Sequence, residues 1–180
     1  MKNSSHITHC SLLIPHWSLL IALIVLQGAT AQVLYKLEHG RVSSTSDGGN
    51  HWREAVALPG GIAMAVWSQT RPEHVIAVGQ NVVYVSFHGG RRWMPPWQLP
   101  KGFEPTALAI LKNNQKVAYL TGTIMTASGT RRSAAWTSRN GGIVWYQVHT
   151  PEATIATLAD SSKFWYGVPN STTEKLEEAR

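Results

Sequence analysis

From residue 62 onward the chain breaks into apolar runs of four to seven residues, each closed by glycine, proline, asparagine or charged residues. Ile62 to Ser68, His74 to Val78 and Val82 to Val85 form one such series, with turns at Gln69 to Glu73 and at Gln80-Asn81. Runs this short, rich in Val, Ile, Ala and aromatic residues, predict β-strands rather than helices. Ile62 to Ser68 is apolar on both alternations, which predicts an inner strand buried on both faces. A further strand is expected from Trp93, closing at Pro95-Pro96. The series then returns with Thr106 to Leu111, Val117 to Thr121, Ser133 to Thr137 and Trp145 to Val148, separated by turn residues such as Lys112 to Gln115. Thr154 to Ala159 predicts a third inner strand and Phe164 to Val168 its neighbour, ahead of a polar tail over 169–180.

Between the third and fourth strands of each unit lies one short pattern. It reads Thr45-Ser46-Asp47-Gly48-Gly49-Asn50-His51-Trp52, then Ser86-Phe87-His88-Gly89-Gly90-Arg91-Arg92-Trp93, then Ser138-Arg139-Asn140-Gly141-Gly142-Ile143-Val144-Trp145. Adjacent glycines supply positive φ for a tight turn, and a short polar side chain ahead of them accepts hydrogen bonds from turn amides. The tryptophan begins the returning strand, and all three are expected to bury their rings in equivalent places, where an aromatic removes a large area from water. Asp47, Gly49 and Trp52, His88, Gly90 and Trp93, and Asn140, Gly142 and Trp145 are thus structural residues in this reading. Repetition at this scale fixes architecture.

The three copies resemble the Asp-box, or BNR, repeat of sialidases, sortilin-type receptor domains and photosystem II assembly factors, over roughly residues 33 to 168. The resemblance implies an all-β, β-propeller-like array of about three four-stranded antiparallel blades over 32–168. Closed propellers have typically four to eight blades, so the array is expected to be partial or open, with self-association through its blade edges as one way to cover them.

The first 31 residues have a different character. Lys2, the apolar run Ser18 to Leu26 and the small residues Ala29-Thr30-Ala31 predict a signal peptide over 1–31 cleaved before Gln32, and hence a secreted or periplasmic protein. Retention as an anchor is the alternative; after cleavage no membrane span is expected. The single cysteine, Cys10, precedes the run and leaves with it. The remaining 149 residues carry 15 Lys and Arg against 10 Asp and Glu, a formal charge of +5. Asn170-Ser171-Thr172 is a glycosylation acceptor in a eukaryotic secretory pathway.

The basic excess is densest at Arg91-Arg92 and Arg131-Arg132, with Arg139 in the next box. The second unit is longer than the first, its box tryptophan following after 52 residues instead of 41, and the extra length sits in Thr123 to Arg132, read as an elongated hairpin loop between the second and third strands. Arg131, Arg132, Arg139, Arg91 and Arg92 are therefore the candidate binding residues for an acidic protein or anionic polysaccharide. No nucleic-acid-binding signature accompanies them.

Catalytic motifs are sparse. The sialidase resemblance implies an Arg-Ile-Pro motif, an arginine cluster and a tyrosine–glutamate pair, and the chain has no Arg-Ile-Pro. Glu104 and Glu152, each two residues ahead of an expected inner strand, are the candidate acid pair. His39, His51, His74, His88 and His149 have no metal-ligand spacing, and no cofactor motif is present. The sequence thus predicts a non-catalytic binding or assembly scaffold, with a truncated or degenerate sialidase-type hydrolase as the alternative.

Overall fold

The computed structural model describes residues 33–54, 58–79 and 81–169. The expected signal segment, Cys10, Asn170 and the tail beyond it lie outside these residues. None of the described helices is long and apolar enough to cross a membrane.

The described chain is all-β with one α-helix, and its strands form three antiparallel sheets in an open arrangement. The first sheet runs in the order β1 (Leu34–Glu38), β2 (Arg41–Thr45), β3 (Arg53–Glu54). The second contains β4 (Met64–Trp67), β5 (Val75–Gly79), β6 (Val82–Ser86) and β7 (Trp97–Gln98). The third contains β8 (Phe103–Leu111), β9 (Ala118–Met125), β10 (Arg131–Ser138) and β11 (Tyr146–Gln147). After α1 (Pro151–Leu158), β12 (Phe164–Tyr166) pairs with β8 and β13 (Val168–Pro169) pairs with β4. The sheets therefore have three, five and five strands, not four each.

Three local readings are corrected. Thr154 to Ala159 is not a strand, because Pro151 occupies the first turn with Glu152 beside it, and both favour a helix start. Thr123 to Arg132 is not a long loop: Thr123 to Met125 pairs with Arg131 to Ser133, so the added length extends a hairpin whose turn is only Thr126 to Thr130. The strand expected from Trp93 starts instead at Trp97, beyond Pro95-Pro96, since proline has no N–H to give to the ladder.

The segment β12–β13 crosses from one sheet to the next along their inner edges. At the crossing, the Gly167 amide donates to the Leu108 carbonyl at 2.6 Å, and a Cβ there would lie 2.7 Å from Met64 Cγ. Two edges that would otherwise offer unpaired backbone groups are thereby occupied.

Apolar side chains fill the two seams. Tyr35, Leu37 and Val42 of the first sheet meet Ala65, Val75, Ala77 and Tyr84 of the second. The opposite face of the second sheet, with Val66, Ile76, Val83 and Val85, meets Leu108, Leu120, Trp136 and Trp145 of the third. The far face of the third sheet is covered by α1, whose Leu158 packs with Ala109 and Phe164. The outward face of the first sheet differs. Aligned on the box, its Lys36, Glu38 and Arg41 stand where the second sheet has Ala77, Gly79 and Val82, and they form the ion pairs Lys36–Glu38 (3.0 Å) and Arg41–Glu54 (3.1 Å).

Candidate functional site

The three boxes build the same turn. Both glycines of each pair have positive φ, from 62° to 101°, a region that costs any residue with a Cβ. Thr45, Ser86 and Ser138 each accept a bond from the second glycine's amide, at 3.1, 2.9 and 2.9 Å. Asp47 Oδ1 accepts from the His51 amide at 3.0 Å, and Asn140 Oδ1 from the Val144 amide at 2.9 Å. The Asp47 carboxyl is held well below the usual carboxylate range, first by the Thr45 hydroxyl and then by the His51 amide and ring. Asn140 makes the same acceptor contact without the charge, and His88 stands at this position in the second box, so the turn requires neither an anion nor a side-chain oxygen there.

The tryptophans do not share one environment. Trp145 is 3% exposed and donates its Nε1–H to the Gly142 carbonyl at 2.8 Å, whereas Trp93 is half-buried and Trp52 is 37% exposed under the Lys36 ammonium. The expectation of three equivalent buried rings fails for a physical reason: the second and third boxes pack on the sheet that precedes each, and the first does not. A Cβ on Gly142 would meet Ile76 and Val85 of the second sheet at 2.8 Å, and one on Gly89 would meet Tyr35 Oη of the first at 3.0 Å. Among the described residues no sheet precedes the first, and a Cβ on Gly48 would meet nothing within 4 Å.

This packing leaves a cleft at the box end of each seam. In the first, of about 150 Å³, Arg53 and Arg91 are accompanied by Glu54 and Glu73, and burial followed by the Glu73 charge pushes the Tyr35 hydroxyl up to about 12. The second, of about 560 Å³, is lined by Arg71, Lys116, Arg139, Phe87, Asn114 and Asn140, among others, and by no carboxylate. Among their differences, one falls at a position fixed by the same backbone bond. The Gly89 amide donates to the Glu73 carbonyl and the Gly141 amide to the Lys116 carbonyl, both at 2.8 Å, so a glutamate in the first cleft is replaced by a lysine in the second. Arg71, Lys116 and Arg139 belong to none of the ion pairs among the described residues.

His74 forms the cleft's inner wall. It is buried, stacks on Phe87 at 5.0 Å between centroids, and as the neutral tautomer donates Nε2–H to the Gly141 carbonyl at 2.8 Å. Burial lowers its pKa below 6.5; the Gly141 bond opposes this and the Arg71 charge adds to it. Lys116 and Arg139 line the same cleft. Since the unfolded chain binds the proton more readily, His74's contribution to stability is complete above about pH 6.5 and is lost as pH falls toward the lower folded value, at no more than about 1.4 kcal/mol per pH unit for one proton. Urea unfolding of the wild type and His74→Gln between about pH 7.5 and 5.5 should show a steeper acid loss in the wild type; parallel curves would remove His74 as the source.

The arginines proposed from sequence are not one patch. Arg131 and Arg132 begin β10 and Arg139 follows its last residue, so the strand separates them by about 23 to 26 Å at 3.3 Å per residue. Arg131 is ion-paired with Glu104 at 3.1 Å, and Arg132 lines a different cavity with Ser133, His149 and Glu152. Arg139 lies in the second cleft and Arg91 in the first, where its Nε–H donates to the His88 carbonyl; Arg92 is exposed. Glu104 and Glu152 are likewise not equivalent, one lying within β8 and the other in the first turn of α1. No group of three or more metal-ligating side chains is present among the described residues. Arg71, Lys116 and Phe87 were not singled out by sequence. The available signal was that Phe87 follows the first residue of a box and that Lys116 ends a turn equivalent to the one ending at Glu73.

No protein-family model matches the chain, and no curated protein matches it. Among solved structures, it is similar to the crystal structure of an ancestral GH74 enzyme, with 22% identity and a TM-score of 0.41. That match covers 62% of this chain and 15% of the enzyme, so the chain spans a small part of that protein's length.

Proposed function

We propose that this chain is an exported, non-catalytic binding or assembly scaffold whose three sheets are blades of an open, partial propeller built on Asp-box turns. It holds an anionic ligand in the second cleft. The observation that carries this reading is the composition of that cleft: three cationic side chains without ion-pair partners among the described residues and no lining acid, where the neighbouring cleft has Glu54 and Glu73. Unneutralised cations in a concavity concentrate field and attract anions, and arginine forks suit carboxylate or sulfate groups. For the hydrolase alternative the structure offers Glu104 already bound to Arg131, and Glu152 on a helix, with no observation favouring a reacting pair.

Binding of dextran sulfate by the full-length chain, followed across a salt series, tests the assignment. Lys116→Glu should weaken association by about tenfold or more and flatten its salt dependence, while Arg131→Gln/Arg132→Gln, at the other end of β10, should leave both close to wild type. The reverse pattern would move the site to the extended hairpin.

A further inference from the structure

Building on the anion-binding reading of the second cleft, we infer that its ligand is an acidic oligosaccharide, its sugar ring lying on Phe87 and its carboxylates meeting Arg71, Lys116 and Arg139. The ring of Phe87 is 39% exposed yet fixed from behind: it stacks on His74 with an interplanar angle of 19°, and Gly141 sits so close that a Cβ there would lie 3.3 Å from Phe87 Cζ. A buried histidine, itself tied to the Gly141 carbonyl, thus backs an aromatic ring at a polar cavity. The negative face of such a ring attracts the polarised C–H groups on one face of a pyranose.

The rest of the lining fits hydroxyls as well as charge. Asn113, Asn114 and Asn140 present carboxamides, each carrying donors and an acceptor in one plane. Asn114 Oδ1 is engaged by the Lys116 amide and Asn140 Oδ1 by the Val144 amide, which leaves their Nδ2 groups as donors. A free phosphate would use the cations and the amide donors and leave the ring idle. At about 560 Å³ the cavity lies in the range of small-ligand sites. A nucleic-acid strand needs a continuous basic track, and the neighbouring cleft at the same end of the sheets interrupts one with Glu54 and Glu73.

Calorimetric titration of the full-length chain with trigalacturonate, neutral galactotriose, inorganic phosphate and a short oligoglutamate separates the sources of binding. Trigalacturonate should bind at least about tenfold more tightly than each of the others. Phe87→Leu should weaken it by about tenfold without moving phosphate binding, and Arg139→Gln, at an exposed position that leaves the fold intact, should weaken both. Oligoglutamate or phosphate binding as tightly as the sugar, or Phe87→Leu without effect on the sugar, would overturn the saccharide inference and leave the anion cleft standing. Absence of binding by every anion would remove both.

Discussion

Trp145→Ala is expected to lower the unfolding free energy by about 3 to 5 kcal/mol, while Trp52→Ala costs about 1 kcal/mol or less. The two residues hold the same place in the motif, so the contrast isolates the contribution of the seam. Trp145 lies among Ile76, Val85 and Trp136 of the larger core, and its removal leaves a cavity that two sheets must collapse to fill. It also orphans the Gly142 carbonyl to which its indole donates. Trp52 has no preceding sheet to pack on among the described residues, and the Lys36 ammonium lies over its ring at 4.7 Å from the centroid, an exposed cation–π pair worth about 0.5 to 1 kcal/mol at most. Chemical denaturation of both variants decides the matter. Equal losses would show that the tryptophan acts within its own turn and not across the seam.

Gly122→Ala should be nearly as damaging, at about 3 kcal/mol, for a steric rather than a hydrophobic reason. A Cβ at this position of β9 would stand 2.2 Å from the Glu104 carbonyl oxygen and 2.5 Å from the Phe103 ring, next to the irregular pairing of β8 between Pro105 and Ala107. The obstacle is backbone and a buried aromatic, neither of which can swing aside. Gly79 repeats the situation in the second sheet, where a Cβ would lie 2.6 Å from the Gly61 carbonyl. In the first sheet the equivalent residue is Glu38, which is exposed, so Glu38→Ala should fall within about 0.5 kcal/mol of wild type. Thermal melts of the three substitutions form the comparison, and an unperturbed Gly122→Ala would mean that the start of β8 can be displaced without loss.

Much of the strand order was legible because the second and third sheets bury both faces, which forces the continuous apolar runs at Ile62 to Ser68 and Thr106 to Leu111. Glycine pairs were legible as turns because φ near +80° leaves few other residues acceptable. The helix was misread. Thr154, Ile155 and Thr157 are β-branched, and only Pro151 with Glu152 announced a helix start. Of the second cleft's cations, only Arg139 was named from sequence. They come from three separate turns, at Arg71, Lys116 and Arg139, and nothing in their spacing shows that one box folds over the preceding sheet. Conversely, Arg131 and Arg139 are near in sequence but lie at opposite ends of a strand.

The ion-paired face of the first sheet bears on how two copies of this molecule would meet, were they to associate. A box end of one molecule is shaped to lie on an apolar sheet face, and a sheet face open on one side would accept the box end of another. Such a contact is head-to-tail, and when its rotation does not close it grows a fibre. Lys36, Glu38 and Arg41 put desolvation of two ion pairs in the way of that first step. At the other end α1 occupies the complementary face. Among the described residues, charge on one side and a helix on the other would both oppose growth of such a fibre.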